Sequence, residues 1–155
     1  MGRKGDNGFY FQRKKTIKAR KFIETLRLKK EADFIVVDMH GEITSEKMAM
    51  GYLFDGKATI VFGTHTHVPT SDYRIMDKGT AYQTDIGMCG DYNSVIGMDK
   101  DNSLKKFLKD PSASSHYPAT GTATISGLIV DADTTTGLAK KVQPIILGGA
   151  LQEKK

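Results

Sequence analysis

Two apolar runs dominate the hydrophobic pattern of the first half of the chain, and polar residues follow each of them at once. Residues 34–37 read FIVV and residues 58–63 read ATIVFG. Continuous runs of this length with β-branched side chains are typical of strands buried on both faces of a sheet. Because sites gather at the carboxyl ends of neighbouring strands, the pattern predicts an α/β fold with its chemistry at this edge.

A helix is predicted between these two strands, over residues 44–54. Its first two residues, a threonine and a serine, can each cap its start. Its predicted apolar side consists of Met48, Leu53 and Phe54. The order helix, strand, helix, strand follows once the segment before residue 34 is included.

That first segment is strongly basic and amphipathic. Residues 1–30 carry eleven lysines and arginines and two acids, or +9, whereas the whole chain carries +5 and the remainder therefore −4. Apolar residues recur at near-helical spacing from Gln12 to Ala32, which predicts an amphipathic helix. Such a helix can bind nucleic acid or an acidic partner, or it can be a solvated or docking helix. The segment has no aromatic platform or groove-reading motif, which favours a solvated helix or a docking helix.

Shorter elements are predicted in the second half of the chain. YRIM and TAYQTD flank a turn at residues 77–79 and indicate short strands, and the glycine-rich residues 85–99 indicate a loop. Residues 102–110 predict a short helix, which is followed by a Ser/Pro-rich loop. The last two apolar stretches lie on either side of TTTG and predict an antiparallel C-terminal hairpin.

The composition fits a single soluble domain. The 155 residues are 39% hydrophobic and 26% charged, which is ordinary for a globular protein with a core. No apolar run reaches the roughly 18 residues of a membrane span, and no secretory signal is recognisable, so we expect a cytoplasmic protein. Cys89, the single cysteine, cannot form an internal disulfide, which fits a reducing compartment.

Three of the four histidines stand where the predicted strands end. His40 follows the first strand, and His65 and His67 follow the second. Imidazole is a common ligand of zinc, iron and manganese, and two histidines one residue apart on extended backbone project from the same face. Asp38 and Glu42 flank His40 and can fix its tautomer as hydrogen-bond acceptors. The alternative interpretation is that these histidines are polar strand-end residues bonded to the backbone.

Other polar residues give weaker signals. Gly63 would allow a tight turn and close approach to a ligand. His116 lies in the Ser/Pro-rich loop and is predicted to be exposed. Asp85, Asp91 and Asp99 are predicted to form turns rather than bind cations, because their spacing matches no calcium-binding loop.

The strings DMHGEITSEK, GTHTHV and TDIGM closely resemble those of calcineurin-like metallophosphoesterases, and in particular the C-terminal half of the bacterial YmdB-like group. The resemblance covers about residues 32–149. It implies an α/β sandwich of two sheets with helices outside, a phosphodiester substrate such as a 2′,3′-cyclic nucleotide, and a centre of two divalent metal ions (Fe, Mn or Zn). It also implies that His40 and His65 bind one metal and His67 the other.

The sequence departs from the family pattern in its metal ligands. The family's Gly-Asp, Gly-Glu-Asn and Gly-Asn-His motifs supply carboxylates, a bridging ligand and the histidine that protonates the leaving group, and none has a counterpart in its expected context here. We therefore expect residues 32–150 to be the C-terminal half of a metallophosphoesterase domain, and residues 1–31 to be a divergent basic helical segment.

This departure has consequences for activity and for partners. Three neutral imidazoles do not offset two dications, so we expect at most one weakly held metal and impaired catalysis. An N-terminal half or self-association is expected to cover the exposed sheet edge. The alternative function is a non-catalytic module whose basic helix binds RNA or an acidic partner on a degenerate phosphoesterase scaffold.

Overall fold

The computed structural model describes residues 17–154, which form three helices and six strands. The helices are α1 (residues 17–25), α2 (Thr44–Phe54) and α3 (Lys100–Phe107). The strands are β1 (Val36–His40), β2 (Ile60–Thr64), β3 (Arg74–Ile75), β4 (Ala81–Gln83), β5 (Ile125–Ala132) and β6 (Ala139–Leu147). The α/β class is as predicted, and none of the helices in this part of the chain is long and apolar enough to cross a membrane.

Four strands form a mixed sheet in the order β1-β2-β4-β3. β2 pairs in parallel with both β1 and β4, and β3 is antiparallel to β4. Parallel neighbours need a crossover connection, and α2 supplies the one between β1 and β2. β5 and β6 form the predicted antiparallel hairpin.

The core lies between α1, α2 and one face of this sheet. It contains Ile23 of α1, Met50 and Phe54 of α2, Val61 of β2 and Tyr82 of β4, and each of these side chains is 5% exposed or less. The apolar side of the basic helix therefore packs on the chain's own core. The segment is therefore a docking helix, which is one of the interpretations that the sequence leaves open. The surface on which it docks belongs to the same chain.

Backbone and side-chain hydrogen bonds attach the C-terminal hairpin to the sheet. The Thr59 hydroxyl donates to the Gly137 carbonyl at 2.7 Å, and the Ala139 amide donates to the Gly79 carbonyl at 2.8 Å. Both contacts lie at the amino-terminal end of the parallel strands, so the hairpin turn lies away from the strand ends that carry the histidines.

The basic helix ends earlier than its periodicity predicts. The predicted start at Gln12 lies outside the described residues, and α1 ends well before Ala32. The Arg27 amide donates to the Glu31 carboxylate at 2.8 Å, and Lys29 has a left-handed φ of 64°. The Glu31 side chain accepts the hydrogen bond that a backbone carbonyl would accept in a helix, and Lys29 does not have helical backbone. The chain therefore forms a turn here instead of a further helical turn.

β1 is an edge strand, although its sequence predicts burial on both faces. Within residues 17–154 it pairs with β2 on one side and with no strand on the other. The side chains of Phe34 and Val36 are 46% and 58% exposed. The strand runs from Val36 to His40, so His40 is its last residue instead of the third residue after its predicted end.

α2 has the predicted bounds but not the predicted cap. Ile43 occupies the N-cap position, and no side chain of the described chain accepts a hydrogen bond there. The buried positions also differ from the predicted apolar side, because Met48 is 36% exposed whereas Lys47 is 1% exposed. Lysine is almost never fully buried unless it is paired, and Lys47 donates to the Asp85 carboxylate at 2.8 Å.

Gly63 serves close packing and not the predicted tight turn. It lies inside β2, where an added Cβ would stand 1.9 Å from the Thr84 carbonyl oxygen and 2.5 Å from Lys47 Cδ. The backbone after β4 and the aliphatic stem of Lys47 can approach β2 this closely only because position 63 has no side chain.

We predict that Gly63→Ala lowers the free energy of unfolding by about 3 kcal/mol, the upper end of the usual cost of overpacking. The overlap is with a backbone oxygen, which can move only if the strand separates from its neighbour. Urea-induced unfolding followed by circular dichroism measures the change. Gly127→Ala is the matched control, because Gly127 also lies in a strand but its added Cβ would meet its nearest atom at 3.7 Å. Equal unfolding midpoints for the two variants would contradict this assignment.

Candidate metal centre

The parallel pairing of β1 and β2 brings two of the three predicted histidine ligands together. His40 pairs with Thr64 at the carboxyl ends of these strands, and His65 is the next residue along the chain. His40 Nε2 and His65 Nδ1 lie 3.2 Å apart. The two rings are nearly perpendicular, at 87°, with their centroids 4.9 Å apart.

A chain of hydrogen bonds fixes the hydrogen position on His40. Thr64 Oγ1 donates to Asp38 Oδ1 at 2.7 Å, and the same oxygen lies 3.0 Å from His40 Nδ1. A hydroxyl has one hydrogen, so the Thr64 oxygen accepts from His40 Nδ1–H. In the neutral ring Nε2 then carries the lone pair. The predicted effect of Asp38 on this histidine is therefore exerted through Thr64.

Glu42 orients His65 and not His40. Glu42 Oε2 is 2.6 Å from His65 Nε2, and an ionised carboxylate can only accept. The neutral His65 ring therefore carries its hydrogen on Nε2 and its lone pair on Nδ1. The side chains of His65 and Glu42 are 40% and 78% exposed, so the site is open to solvent.

Two nitrogen lone pairs consequently face each other across 3.2 Å, from His40 and from His65. Neither neutral ring can donate to the other in this arrangement, and a cation between the nitrogens would bind both lone pairs. Two nitrogens bound to one tetrahedral zinc ion at 2.0–2.1 Å would be about 3.3–3.4 Å apart. The donor chemistry and the spacing therefore fit one divalent ion shared by the two rings.

The His-Thr-His stretch is a strained turn and does not have the extended backbone that the sequence predicts. β2 ends at Thr64, and His65 and His67 have left-handed φ values of 113° and 65°. Each such residue costs about 1–3 kcal/mol and persists only where its surroundings hold it. His67 Nδ1 donates to the Ile96 carbonyl at 2.8 Å, which leaves its Nε2 as the nitrogen available to a ligand.

The third predicted ligand does not complete a cluster with the other two. Among residues 17–154 no group of three or more histidine, cysteine, aspartate or glutamate side chains is arranged to hold a metal ion. The structure brings His40 and His65 into contact and places His67 in the adjoining turn. The assignment of all three as metal ligands therefore stays a prediction.

Three polar side chains near the histidines are not predicted from the sequence to belong to the site. One is Thr64, which stands directly before His65, but its contact with His40 depends on the strand register. The others are Lys47 and Asp85, whose side chains are 1% and 0% exposed. A lysine in an amphipathic helix gives no sequence signal of burial before its partner is known.

Asp85 forms a local turn as predicted, because its Oδ1 accepts from the Gly87 amide at 2.9 Å, but it is also buried and ion-paired with Lys47. Burial disfavours its ionised form, but hydrogen bonds from Lys47, Thr66 and Gly87 outweigh that effect and hold the pKa of Asp85 below its usual range. Asp91 and Asp99 do act as predicted in local structure. Their carboxylates accept from the amides two and three residues further on, at 2.8 Å in each case, and Asp99 thereby caps α3.

Comparison with known proteins places the chain in a family. The chain matches the family model described as YmdB-like protein over residues 9–145, a match that begins inside the basic segment. A 2′,3′-cyclic-nucleotide 2′-phosphodiesterase from Bacillus subtilis (strain 168) is 45% identical over 118 residues, which are 76% of this chain and 44% of that relative.

Two solved structures have a similar fold. A novel phosphatase from Mycoplasma pneumoniae has a TM-score of 0.72 and 40% identity over 83% of this chain and 46% of its own. A hypothetical protein from Thermus thermophilus has a TM-score of 0.66 and 37% identity over 82% of this chain and 48% of its own. The chain thus spans less than half the length of these relatives, while the family match covers most of this chain. The chain therefore belongs to the YmdB-like family of metallophosphoesterases.

Proposed function

We propose that this chain contributes the histidine ligands of a metallophosphoesterase centre that hydrolyses phosphodiesters. The observation that carries the proposal is the facing pair of ring nitrogens on His40 and His65, whose outer nitrogens are both held by oxygen acceptors. The Bacillus subtilis relative is named for 2′,3′-cyclic nucleotides, and we propose the same substrate class for the site to which this chain contributes.

His40 and His65 would hold one divalent ion (iron, manganese or zinc), and His67 would contribute to a second. Metals bound there would polarise the phosphoryl oxygens and lower the pKa of a bound water. The chain's own part is to orient the ligand nitrogens. The Thr64 hydroxyl keeps His40 Nε2 free, and Glu42 keeps His65 Nδ1 free. Such outer hydrogen bonds fix the tautomer and raise the basicity of the ligand nitrogen.

Charge limits what this chain can do alone. Imidazoles are neutral when they bind, and the nearest carboxylate, that of Glu42, already accepts from His65 at 2.6 Å. The sequence also contains no Gly-Glu-Asn or Gly-Asn-His string. We therefore propose that the chain alone holds at most one metal ion, weakly. Its hydrolysis would also lack the contribution of a general acid, which is typically about 10²–10⁴-fold.

An apolar groove beside β1 fits a partner polypeptide. The groove has a volume of about 810 Å³ and is lined by α1, β1 and α2. Phe22, Phe34 and Val36 line it and are 62%, 46% and 58% exposed. An exposed apolar edge strand readily pairs with another strand. We propose that the polypeptide supplying the carboxylate ligands covers this edge, and that copies of this chain self-associate there in its absence.

The basic segment gives less support to nucleic-acid binding. Three of its basic residues form ion pairs with acids four residues further on, namely Arg20–Glu24, Arg27–Glu31 and Lys29–Asp33. These acids offset part of the positive charge, and Ile23 faces the core. Binding to RNA or an acidic partner stays an alternative prediction, which no observation among the described residues favours.

His40→Ala and His65→Ala should each weaken Co²⁺ or Mn²⁺ binding at least about 10-fold, because each removes one of the two facing nitrogens. Isothermal titration calorimetry gives the dissociation constants, and the visible absorption of Co²⁺ reports coordination by nitrogen. His116→Ala is the matched control, since His116 is exposed in the loop after α3. Wild-type affinity in both site variants, or an equal loss in His116→Ala, would refute the proposed site.

Hydrolysis of bis-p-nitrophenyl phosphate with Mn²⁺ should be at least about 10²-fold slower for this chain alone than for the Bacillus subtilis relative in the same assay. The reason is the missing general acid and the missing carboxylate ligands. His65→Ala should abolish the residual rate. Turnover by this chain at the relative's rate would show that the centre is complete without them.

Sedimentation velocity should show concentration-dependent self-association of the wild-type chain. Val36→Lys should reduce it, because a charge on an exposed edge strand opposes strand pairing. Phe107→Lys is the control, since Phe107 is 77% exposed but lies on α3. A wild-type chain that stays monomeric at all concentrations would contradict the proposed role of the edge.

A further inference from the structure

A buried ion pair lies next to the turn that carries His65 and His67. Lys47 Nζ donates to Asp85 Oδ2 at 2.8 Å, and the two side chains are 1% and 0% exposed. Lys47 lies near the start of α2, which begins four residues after His40, whereas Asp85 follows β4. The pair therefore connects the helix after one histidine-bearing strand to the loop after an inner strand.

The carboxylate of Asp85 also holds the backbone between the two histidines of the turn. Asp85 Oδ2 accepts from the Thr66 amide at 3.0 Å, and Oδ1 accepts from the Gly87 amide at 2.9 Å. Thr66 is the residue between His65 and His67, both of which have left-handed φ values. Left-handed backbone is unfavourable for residues with a Cβ, so contacts from outside the turn must hold it.

We propose that Lys47 and Asp85 are positioning residues, which hold the turn in the shape that presents the ring nitrogens of His65 and His67 to a metal ion. The inference rests on the proposed function, which gives the turn its ligand. Asp85 grips the turn directly through the Thr66 amide. Lys47 acts through Asp85, because a buried carboxylate without a cationic partner is strongly unfavourable.

Gly63 gives Lys47 its path to Asp85. A Cβ at position 63 would stand 2.5 Å from Lys47 Cδ, so the lysine stem passes directly over β2 close to its carboxyl end. The ion pair is thereby packed against the strand that leads into the histidine turn. A surface salt bridge of equal length would lack this rigid support.

Asp55 is a buried carboxylate whose loss should affect stability alone, so it serves as the control for Asp85. It is 8% exposed, and its carboxylate accepts from the Lys78 and Thr80 amides at 3.1–3.4 Å. These amides lie before β4, whereas Asp85 follows β4 and contacts the histidine turn. Loss of either carboxylate removes buried backbone hydrogen bonds, so Asp55→Asn separates lost stability from lost positioning.

The double variant Lys47→Met/Asp85→Asn tests the proposal, because it removes both charges and leaves no unpaired one in the interior. We expect it to bind Co²⁺ about 10–100-fold more weakly than the wild type, with an altered visible spectrum, as when an outer partner of a metal ligand is lost. In the metal-free protein the Thr66 amide should exchange with D₂O at least about 10-fold faster by NMR. Asp55→Asn should stay within about twofold of the wild type in both readouts, even where its Tm falls as far.

A folded double variant with wild-type Co²⁺ affinity and wild-type Thr66 exchange would overturn the inference, as would an equal loss in Asp55→Asn. If the double variant does not fold, Lys47→Gln/Asp85→Asn, which also leaves no unpaired charge in the interior, is measured with the same expectations. A wild-type chain that binds no Co²⁺ would contradict the proposed function instead. Exchange of the Thr66 amide in the metal-free chain would then still decide whether the ion pair holds the turn.

Discussion

The parallel register between β1 and β2 is the constraint on which the candidate site depends. It sets His40 opposite Thr64 and places His65 one residue beyond. A slip of one residue would turn the His40 side chain to the other face of the sheet, and it would break both the contact with Thr64 and the contact with His65. The α2 crossover and the buried Val61 of β2 stabilise this register, so packing in the core fixes the positions of the two histidines.

Much of the fold and part of the site follow from local sequence. The bounds of α2, the C-terminal hairpin and the two strands that end near histidines are predictable because each rests on hydrophobic period and turn residues along one segment. The approach of His40 and His65 is predictable for the same reason, since parallel neighbours deliver their carboxyl ends to one edge. The left-handed backbone of His65 and His67 is not, because such backbone is uncommon for any residue with a Cβ and distant contacts impose it here.

The polar residues that hold the site could not be read from spacing. Thr64 becomes an acceptor for His40 only once the strand register and the Asp38 contact are known. Lys47 looks like an exposed helix lysine until its partner, Asp85, is located 38 residues away. Hydrophobic periodicity identifies which apolar residues are buried. It cannot identify a buried charged residue, because that burial depends on a partner elsewhere in the chain. Local sequence therefore predicts the candidate ligands of this site more easily than the residues that orient them.

β1 is more exposed in the structure than its sequence predicts. Its FIVV run is typical of a strand covered on both sides, yet Val36 is 58% exposed and the outer edge of the strand pairs with nothing within residues 17–154. Natural edge strands usually carry charges, prolines or bulges that oppose pairing, and this run has none of them before Asp38. A sequence without such protection is suited to a covered strand. The same edge ends at His40, so a polypeptide that covered β1 would also reach the open side of the histidine pair, where a metal ion would need its remaining ligands.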